Sequence, residues 1–234
     1  MNRRHAVAAS AMAAADLFAP GAEAEESAYI PEHHRVTDRK AIHDFVDEFG
    51  FASVITAQPS IRVTHIPVML ERDEGSWGRI VGHVARANPQ HRVFDGKHES
   101  LILFRGPHRY ISPGWYATER AVPTWNFTAV HATGRARLVE DNARLAALLE
   151  KLVAKYEAYE KSSYAFAKLP ASYKEGMMKN IVMFEMPIEQ VEAKFKLGLE
   201  RSAADREGFL RGLESAKPER TLLEFTRAEI KRRG

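Results

Sequence analysis

The segment FASVITAQPSIRVTHIPVMLERDEGSWGRIVGHVA, residues 51–85, contains three short runs rich in Val, Ile and Thr. The runs cover residues 51–57, 61–70 and 79–85, and turn-forming residues such as Pro59-Ser60 and Glu74-Gly75 separate them. Runs of this composition are typical of β-strands, and short connections of this kind join antiparallel neighbours. Residues 51–85 therefore predict an antiparallel meander of three strands.

Further strands follow this meander. Residues 101–104 are a short apolar run that Gly106-Pro107 is expected to end. Residues 122–139 predict one or two more strands, with Gly134 marking a bulge or a barrel corner. Residues 181–185 are another strand, and 191–197 are expected to continue the sheet. Because few helices separate the strands, we predict a mainly β fold with peripheral helices (α+β), an antiparallel barrel and not a doubly wound sheet.

Helices are predicted around this barrel. Apolar spacing predicts a helix over 38–48 with Thr37 as its N-cap. A longer helix begins at an N-cap, Asp141 or Asn142, and runs to Tyr159. Shorter helices are predicted over 172–179, 206–213 and 221–231.

The composition of the 234-residue chain is that of an ordinary globular protein, with 45% hydrophobic and 28% charged residues. The chain has no cysteine, which excludes disulfides, thiolate metal sites and a cysteine nucleophile. Its net charge of +3 does not by itself indicate a nucleic-acid partner. No apolar run is long enough to span a membrane.

Residues 1–27 have a different character from the rest. They contain Arg3-Arg4, an Ala-rich stretch and the small-residue sequence Ala22-Glu23-Ala24. This order is typical of a twin-arginine export leader, and the alternative is a disordered Ala-rich extension. The two alternatives predict a periplasmic or exported protein and a cytoplasmic protein, respectively, and both exclude residues 1–27 from the fold.

Aromatic and small polar residues crowd into LILFRGPHRYISPGWYATERAVPTWNFTAVH, residues 101–131. Tyr110, Trp115, Tyr116 and Trp125 lie there among prolines that stiffen the backbone. Such a stretch is either an aromatic cluster beneath a long loop or a surface on which a flat ligand packs. Residue types alone leave both interpretations open.

The remaining sequence features argue against a metal site and a serine hydrolase. His65, His83 and His131 lie on predicted strands without a tight metal-ligand spacing, so we predict no metal site. Ser112 lies outside any G-x-S-x-G motif, which argues against a serine hydrolase. The turn Arg86-Ala87-Asn88-Pro89-Gln90 is either a phosphate cradle or an ordinary strand-end turn.

Longer blocks of the sequence, in the same order over residues 28–215, resemble the PaiB family, whose members are described as FMN-binding negative transcriptional regulators of the FMN-binding split-barrel superfamily. The blocks are Tyr29-Ile30-Pro31, Thr64-His65-Ile66-Pro67, the run from Gly82 to Gln90, Gly106-Pro107-His108 with Tyr110-Ile111-Ser112-Pro113, Trp115-Tyr116 and Val122-Pro123-Thr124-Trp125-Asn126. The resemblance divides the chain into an extension (1–27), a barrel domain (28–215) and a charged helical tail (216–234).

The resemblance implies a split β-barrel, a homodimer and FMN at the subunit interface. It implies that Arg86 binds the phosphate and that Trp125 or Tyr116 packs on the flavin ring. No catalytic residue is implied. The full set of implied cofactor-binding positions is Thr64, His65, Ile66, His83, Arg86, Asn88, Tyr116, Thr124, Trp125, Asn126, Lys196 and Arg201.

Two positions depart from the family pattern. His91 stands where the family usually has Trp. Gly198-Leu199-Glu200 stands where the family has Ser-Gln-Asn, so an amide is lost and a negative charge is added. If that run contacts the flavin, both changes are expected to weaken FMN binding.

Three functions follow from the resemblance. The first is a PaiB-type regulator, for which a DNA partner is implied only by the family description. The second is a flavin-dependent oxidoreductase on the same barrel, so whether the chain is an enzyme stays open. The third is a haem-binding or haem-degrading split-barrel protein.

Overall fold

Six antiparallel strands close into a barrel in the computed structural model, which describes residues 28–216. The order around the barrel is β1-β2-β3-β6-β5-β4, with β4 pairing back onto β1. The strands are β1 (Phe51–Thr56), β2 (Arg62–Glu71), β3 (Arg79–Ala85), β4 (Asp95–Ile111), β5 (Thr124–Val139) and β6 (Ile181–Lys196). The helices are α1 (Arg39–Glu48), α2 (Asn142–Glu160), α3 (Ala171–Met178) and α4 (Ala203–Ser215). The predicted mainly β fold with peripheral helices is confirmed.

The three-strand meander is confirmed, but β4 is much longer than predicted. It runs through Gly106-Pro107, where a strand break was expected. The pairing with β5 shifts register between Arg105 and His108. This irregularity accommodates Pro107, which cannot donate to the ladder, while its carbonyl accepts a hydrogen bond from the Thr128 hydroxyl at 3.2 Å.

Strands β5 and β6 are also continuous. The region predicted as one or two strands over 122–139 forms the single strand Thr124–Val139, and the predicted segments 181–185 and 191–197 are parts of one strand, Ile181–Lys196. The bulge expected at Gly134 is confirmed by a register shift between Thr133 and Gly134. A β-carbon added at Gly134 would lie 2.2 Å from the Pro187 carbonyl oxygen, so only glycine fits there.

The helices match the apolar spacing, with small differences at their ends. Helix α1 is capped by Asp38, whose side chain accepts a hydrogen bond from the Ala41 amide, and not by Thr37 as predicted. Asp141 caps α2 as expected. Helix α4 begins three residues earlier than predicted, after Ser202. The predictions for residues 1–27 and 221–231 lie outside the described residues, and the division into an extension, a barrel domain and a tail stays a prediction.

Two apolar cores hold these elements together. One fills the barrel, where Val54, Ile102, Phe104 and Phe184 are fully buried. The other lies between α2 and the outside of β3 and β6 and contains Leu145, Leu148, Leu152, Val81 and Met183. Because the leucines recur at helical spacing, one face of α2 covers the barrel. No helix within residues 28–216 is long and apolar enough to cross a membrane.

Candidate functional site

One end of the barrel collects half of the predicted cofactor-binding residues. We name it the α4 end and define it by Tyr116, residues 124–126, residues 196–201 and helix α4. The Lys196 ammonium donates a hydrogen bond to the Thr124 hydroxyl at 2.7 Å. The Arg201 guanidinium lies 4.0 Å from the centre of the Tyr116 ring, a cation–π contact. The α4 end therefore combines an aromatic ring with two cationic side chains.

Helix α4 is tied to the loop that follows β4. The Asp205 carboxylate accepts hydrogen bonds from the Thr118 amide and hydroxyl, both at 2.9 Å. These bonds lower the pKa of Asp205, the amide bond being the main cause. Gly208 and Gly212 let the helix approach Trp115 closely. The helix is thereby held against the residues that carry Tyr116.

A cavity of about 670 Å³ lies between α4 and the end of β4. Its walls are mostly apolar and include Pro107, Ile111, Leu197, Leu199 and Phe209. Asn126 and Arg206 add polar groups to its lining. A largely apolar cavity with a few polar groups is the usual form of a small-molecule site.

Burial affects the protonation of the Tyr116 phenol at the α4 end. It raises the pKa of Tyr116, although the nearby Arg201 guanidinium opposes that rise. The phenol therefore keeps its proton at neutral pH and can donate a hydrogen bond to a ligand.

The opposite end of the barrel contains a second group of predicted residues. We name it the Gln90 end and define it by Thr64, Asn88 and Gln90. The Asn88 amide donates to the Thr64 hydroxyl at 2.8 Å, and that hydroxyl donates to the Gln90 side chain. Gln90 is fully buried and donates in turn to the Val54 carbonyl at 3.0 Å. These side chains fasten the 3₁₀ helix Pro89–Val93 to the strands, so the turn is at least structural.

The barrel wall between the two ends carries apolar side chains on its outside. The strand register places Val63, Ile55, Leu101 and Thr133 in one row and His65, Ser53, Leu103 and His131 in the next. We name these eight residues the outer face. His65 shares a hydrogen bond with the Ser53 hydroxyl at 2.9 Å. Burial lowers the pKa of His131 despite the nearby Glu192 carboxylate, so its imidazole is neutral at neutral pH.

Trp125 borders the outer face and is 50% exposed. His108 and Tyr110 flank its ring, with centroids at 5.7 and 6.4 Å. A second cavity, of about 380 Å³, lies beside it and is lined also by Leu103 and His131. Trp125 and its neighbours therefore form an exposed strand surface, whereas Trp115 and Tyr116 lie in the loop between β4 and β5, and Trp115 packs against α4.

The remaining predicted residues lie elsewhere. Ile66 packs against the barrel core. His83 pairs with Met183 on the outside of β3, and its Nδ1 is buried without a hydrogen-bond partner among the described residues. Burial lowers the pKa of His83. The Arg86 guanidinium donates to the Lys179 and Ile181 carbonyls, at 2.8 and 3.1 Å.

Arg86 shares a groove with three acidic residues. It borders a groove of about 700 Å³ whose lining includes Glu140, Asp141 and Glu175. Their negative charges make the groove less favourable for a phosphate. Its assignment to the flavin phosphate stays a prediction, as do the other cofactor-binding assignments.

No sequence motif indicates Arg206, which organises the loop before α4. Its guanidinium donates to the Leu199 carbonyl at 3.0 Å and to the Arg201 carbonyl at 2.9 Å. The loop containing the departure at residues 198–200 is thus fixed from α4. A helical arginine on an exposed surface gives no sign of this role in sequence, because its partners are backbone groups.

The sequence of the chain matches a known protein family and two known relatives. Residues 28–190 match the family model described as "Putative FMN-binding domain". The chain is 36% identical over 178 residues to the Protease synthase and sporulation protein PAI 2 of Bacillus subtilis (strain 168), covering 76% of this chain and 84% of that protein. It is 30% identical to Uncharacterized protein AN0679 of Emericella nidulans, covering 67% of this chain and 76% of that protein.

Two solved structures share the barrel. The flavocytochrome Anf3 from Azotobacter vinelandii superposes with a TM-score of 0.53 at 17% identity, covering 78% of each chain. The conserved hypothetical protein Rv2991 from Mycobacterium tuberculosis superposes with a TM-score of 0.52 at 15% identity, covering 75% of this chain and 96% of that one. At these identities the two structures support the fold alone.

Proposed function

The chain belongs to the PaiB-like family of FMN-binding domains, and from that membership we propose that it is a homodimer that binds FMN between its subunits. FMN supplies one- and two-electron redox chemistry when bound. The observation that carries the proposal is the distribution of the predicted flavin residues. They lie mainly at the two ends of one barrel, with the outer face, half of whose side chains are apolar, between them.

A single subunit cannot bring both ends to one flavin. Ser100 of β4 lies at the level of Thr56, near the Gln90 end, and Ile111 lies at the level of Thr124, at the α4 end. Eleven residues of extended strand span roughly 35 Å. We propose an isologous dimer across the outer face with its two-fold axis perpendicular to the strands, because that arrangement brings the Gln90 end of one subunit beside the α4 end of its partner.

The α4 end fits the chemistry of FMN. Lys196 and Arg201 supply cations for a phosphate, and Tyr116 and Trp125 supply rings for a flat heterocycle. These two cations are better placed for the phosphate than Arg86, whose guanidinium is bound to two carbonyls. We therefore assign the phosphate to the α4 end.

Removing either cation is expected to weaken FMN binding. Lys196→Ala or Arg201→Ala should raise the Kd of the apoprotein for FMN about tenfold or more, because each loses a charge-assisted contact. The Kd is measured by quenching of flavin fluorescence during titration. Arg211→Ala is the matched control, since Arg211 is an exposed cation of α4 that pairs with Glu207 on the same helix. A wild-type protein that takes up no FMN, or variants that bind as wild type, would contradict the assignment.

The proposed dimer interface can be tested by a single substitution. Leu103→Glu should convert the dimer to a monomer in sedimentation experiments, because it puts a charge in the middle of the outer face. Met177→Glu, at an exposed position on α3, should leave the mass unchanged. A dimeric Leu103→Glu protein would show that the subunits meet elsewhere.

For the flavin-loaded dimer we propose a regulatory role of PaiB type, in keeping with its 36% identity to PAI 2. Salt-dependent binding to double-stranded DNA tests this role. A flavin-dependent oxidoreductase is the second candidate, favoured by the cavity of about 380 Å³ beside Trp125. Oxidation of a reduced nicotinamide by the loaded protein, without DNA binding, would select the second candidate.

A further inference from the structure

Three metal-ligand side chains converge beside the α4 end. His33 and His34 belong to the 3₁₀ helix Glu32–His34, and Glu200 belongs to the loop between β6 and α4. One ligand atom from each side chain lies within 4.8 Å of the other two. Glu200 is more than 160 positions from the two histidines in sequence, so only the fold brings it to them.

Both segments are held in place from outside the cluster. The chain after His34 pairs with β6, where the Val36 amide donates to the Ala193 carbonyl at 3.0 Å. The loop with Glu200 is held by Arg206, as described above. His34 is buried, whereas His33 and Glu200 are exposed. The cluster is thus a fixed site that opens to solvent on one side.

Two imidazole nitrogens and one carboxylate oxygen are the donor set of borderline divalent cations. The atoms are close enough for one ion to reach all three with small side-chain rotations. Two cations, Lys194 and Lys196, also act on His34 electrostatically and oppose a bound cation. Their ammonium groups are engaged with the Tyr29 carbonyl and the Thr124 hydroxyl, each at 2.7 Å.

We propose that His33, His34 and Glu200 bind one divalent cation of the Zn²⁺ class, with a further position open to water. Glu200 stands where the family pattern has Asn, so this site is a property of this chain. The same substitution was expected to repel a flavin phosphate. Placed against two imidazoles, the Glu200 carboxylate has a ligand role that does not depend on FMN.

Zinc titration of the full-length protein tests the site. The protein is prepared without a histidine tag, freed of metal with a chelator, and titrated with ZnCl₂ alone in a calorimeter at neutral pH. One Zn²⁺ per chain is expected at this site. Glu200→Gln keeps the size of the side chain, and His33→Ala removes an exposed imidazole. Each should weaken binding at least about tenfold, since each removes one of three protein ligands.

His98→Ala is the matched control, because His98 is also exposed and lies 2.9 Å from a carboxylate, that of Asp95. It should titrate as wild type, and zinc should raise the melting temperature of both. At the same zinc concentration, Glu200→Gln and His33→Ala should show a clearly smaller rise in melting temperature. The proposal is overturned if wild type binds no zinc, or if the two variants bind zinc as tightly as His98→Ala.

Discussion

Replacing Glu185 by alanine is expected to lower the free energy of unfolding by about 3 kcal/mol or more, because it leaves Arg137 and Arg144 without their counter-ion. The Glu185 carboxylate is 3% exposed and lies on the outside of β6, beneath the start of α2. Three arginines surround it, with Arg137 Nε and Arg144 Nη2 at 2.7 Å and Arg79 Nη1 at 3.5 Å. The carboxylate thus joins β3, β5, β6 and α2. Urea unfolding followed by circular dichroism measures the loss.

Glu189→Ala is the matched control on the same strand. Glu189 pairs with Arg135 at 2.5 Å, but both side chains are 47% exposed. Exposed ion pairs contribute about 0–1 kcal/mol, so this variant should unfold almost as wild type does. Equal losses in the two variants would show that burial of the Glu185 cluster does not matter.

The same cluster predicts a pH dependence. Burial acts to raise the pKa of Glu185, but hydrogen bonds from Arg144 and Arg137 outweigh it and lower the pKa below its ordinary value of 4.5. A carboxyl with a lowered folded-state pKa stabilises fully above its unfolded-state pKa and loses that stabilisation as pH falls through the folded-state value. The difference in free energy of unfolding between wild type and Glu185→Gln should therefore be constant near neutral pH. It should shrink as the pH falls below the ordinary glutamate pKa of 4.5. A gap that widens in acid would contradict this sign.

Gly208→Ala should displace α4, although alanine is normally the better helix former. A β-carbon at Gly208 would lie 2.1 Å from the Trp115 carbonyl oxygen, a backbone atom that cannot rotate away. Overpacking of this kind costs about 1–3 kcal/mol, more than the helix propensity gained. Amide hydrogen exchange should become faster throughout Ala203–Ser215, and FMN affinity should fall, because α4 forms one wall of the apolar cavity.

Gly176→Ala, in helix α3, is expected to have the opposite effect on stability. An added β-carbon at Gly176 in α3 meets no atom within 4 Å. This variant should gain up to about 1 kcal/mol from helix propensity and keep wild-type FMN affinity. If both alanine variants stabilise the protein, α4 does not pack on Trp115 as described.

The sequence predicted those features that depend on neighbours along the chain. The three strands of residues 51–85 and helix α2 follow from side-chain alternation and helical spacing, which are local. The bulge at Gly134 was also predictable, because a glycine inside a strand pattern has few other uses. The lengths of β4 and β6 were not predictable, since a register shift lets strand pairing continue past a Gly-Pro pair or a bulge.

The residues of the candidate site were likewise predicted only in part from the sequence. The family blocks identified Tyr116, Thr124, Trp125 and Asn126, which the structure gathers at the α4 end with Lys196 and Arg201. The family resemblance also grouped Arg86 with them, but in the structure its guanidinium donates to two backbone carbonyls. The interpretation of Glu200 changed most, from a charge opposing a phosphate to a carboxylate beside two histidines.

By itself, then, the sequence determined the barrel class, the helix that covers it and the family to which the chain belongs. Only the tertiary structure decided that the predicted flavin residues lie at opposite ends, that Glu185 faces three arginines and that Glu200 meets His33 and His34. Periodicity records which face of an element is apolar, and that property is local. Closure of the barrel decides which side chains meet, because it brings together residues more than a hundred positions apart. Contacts over such separations have no characteristic spacing in the sequence.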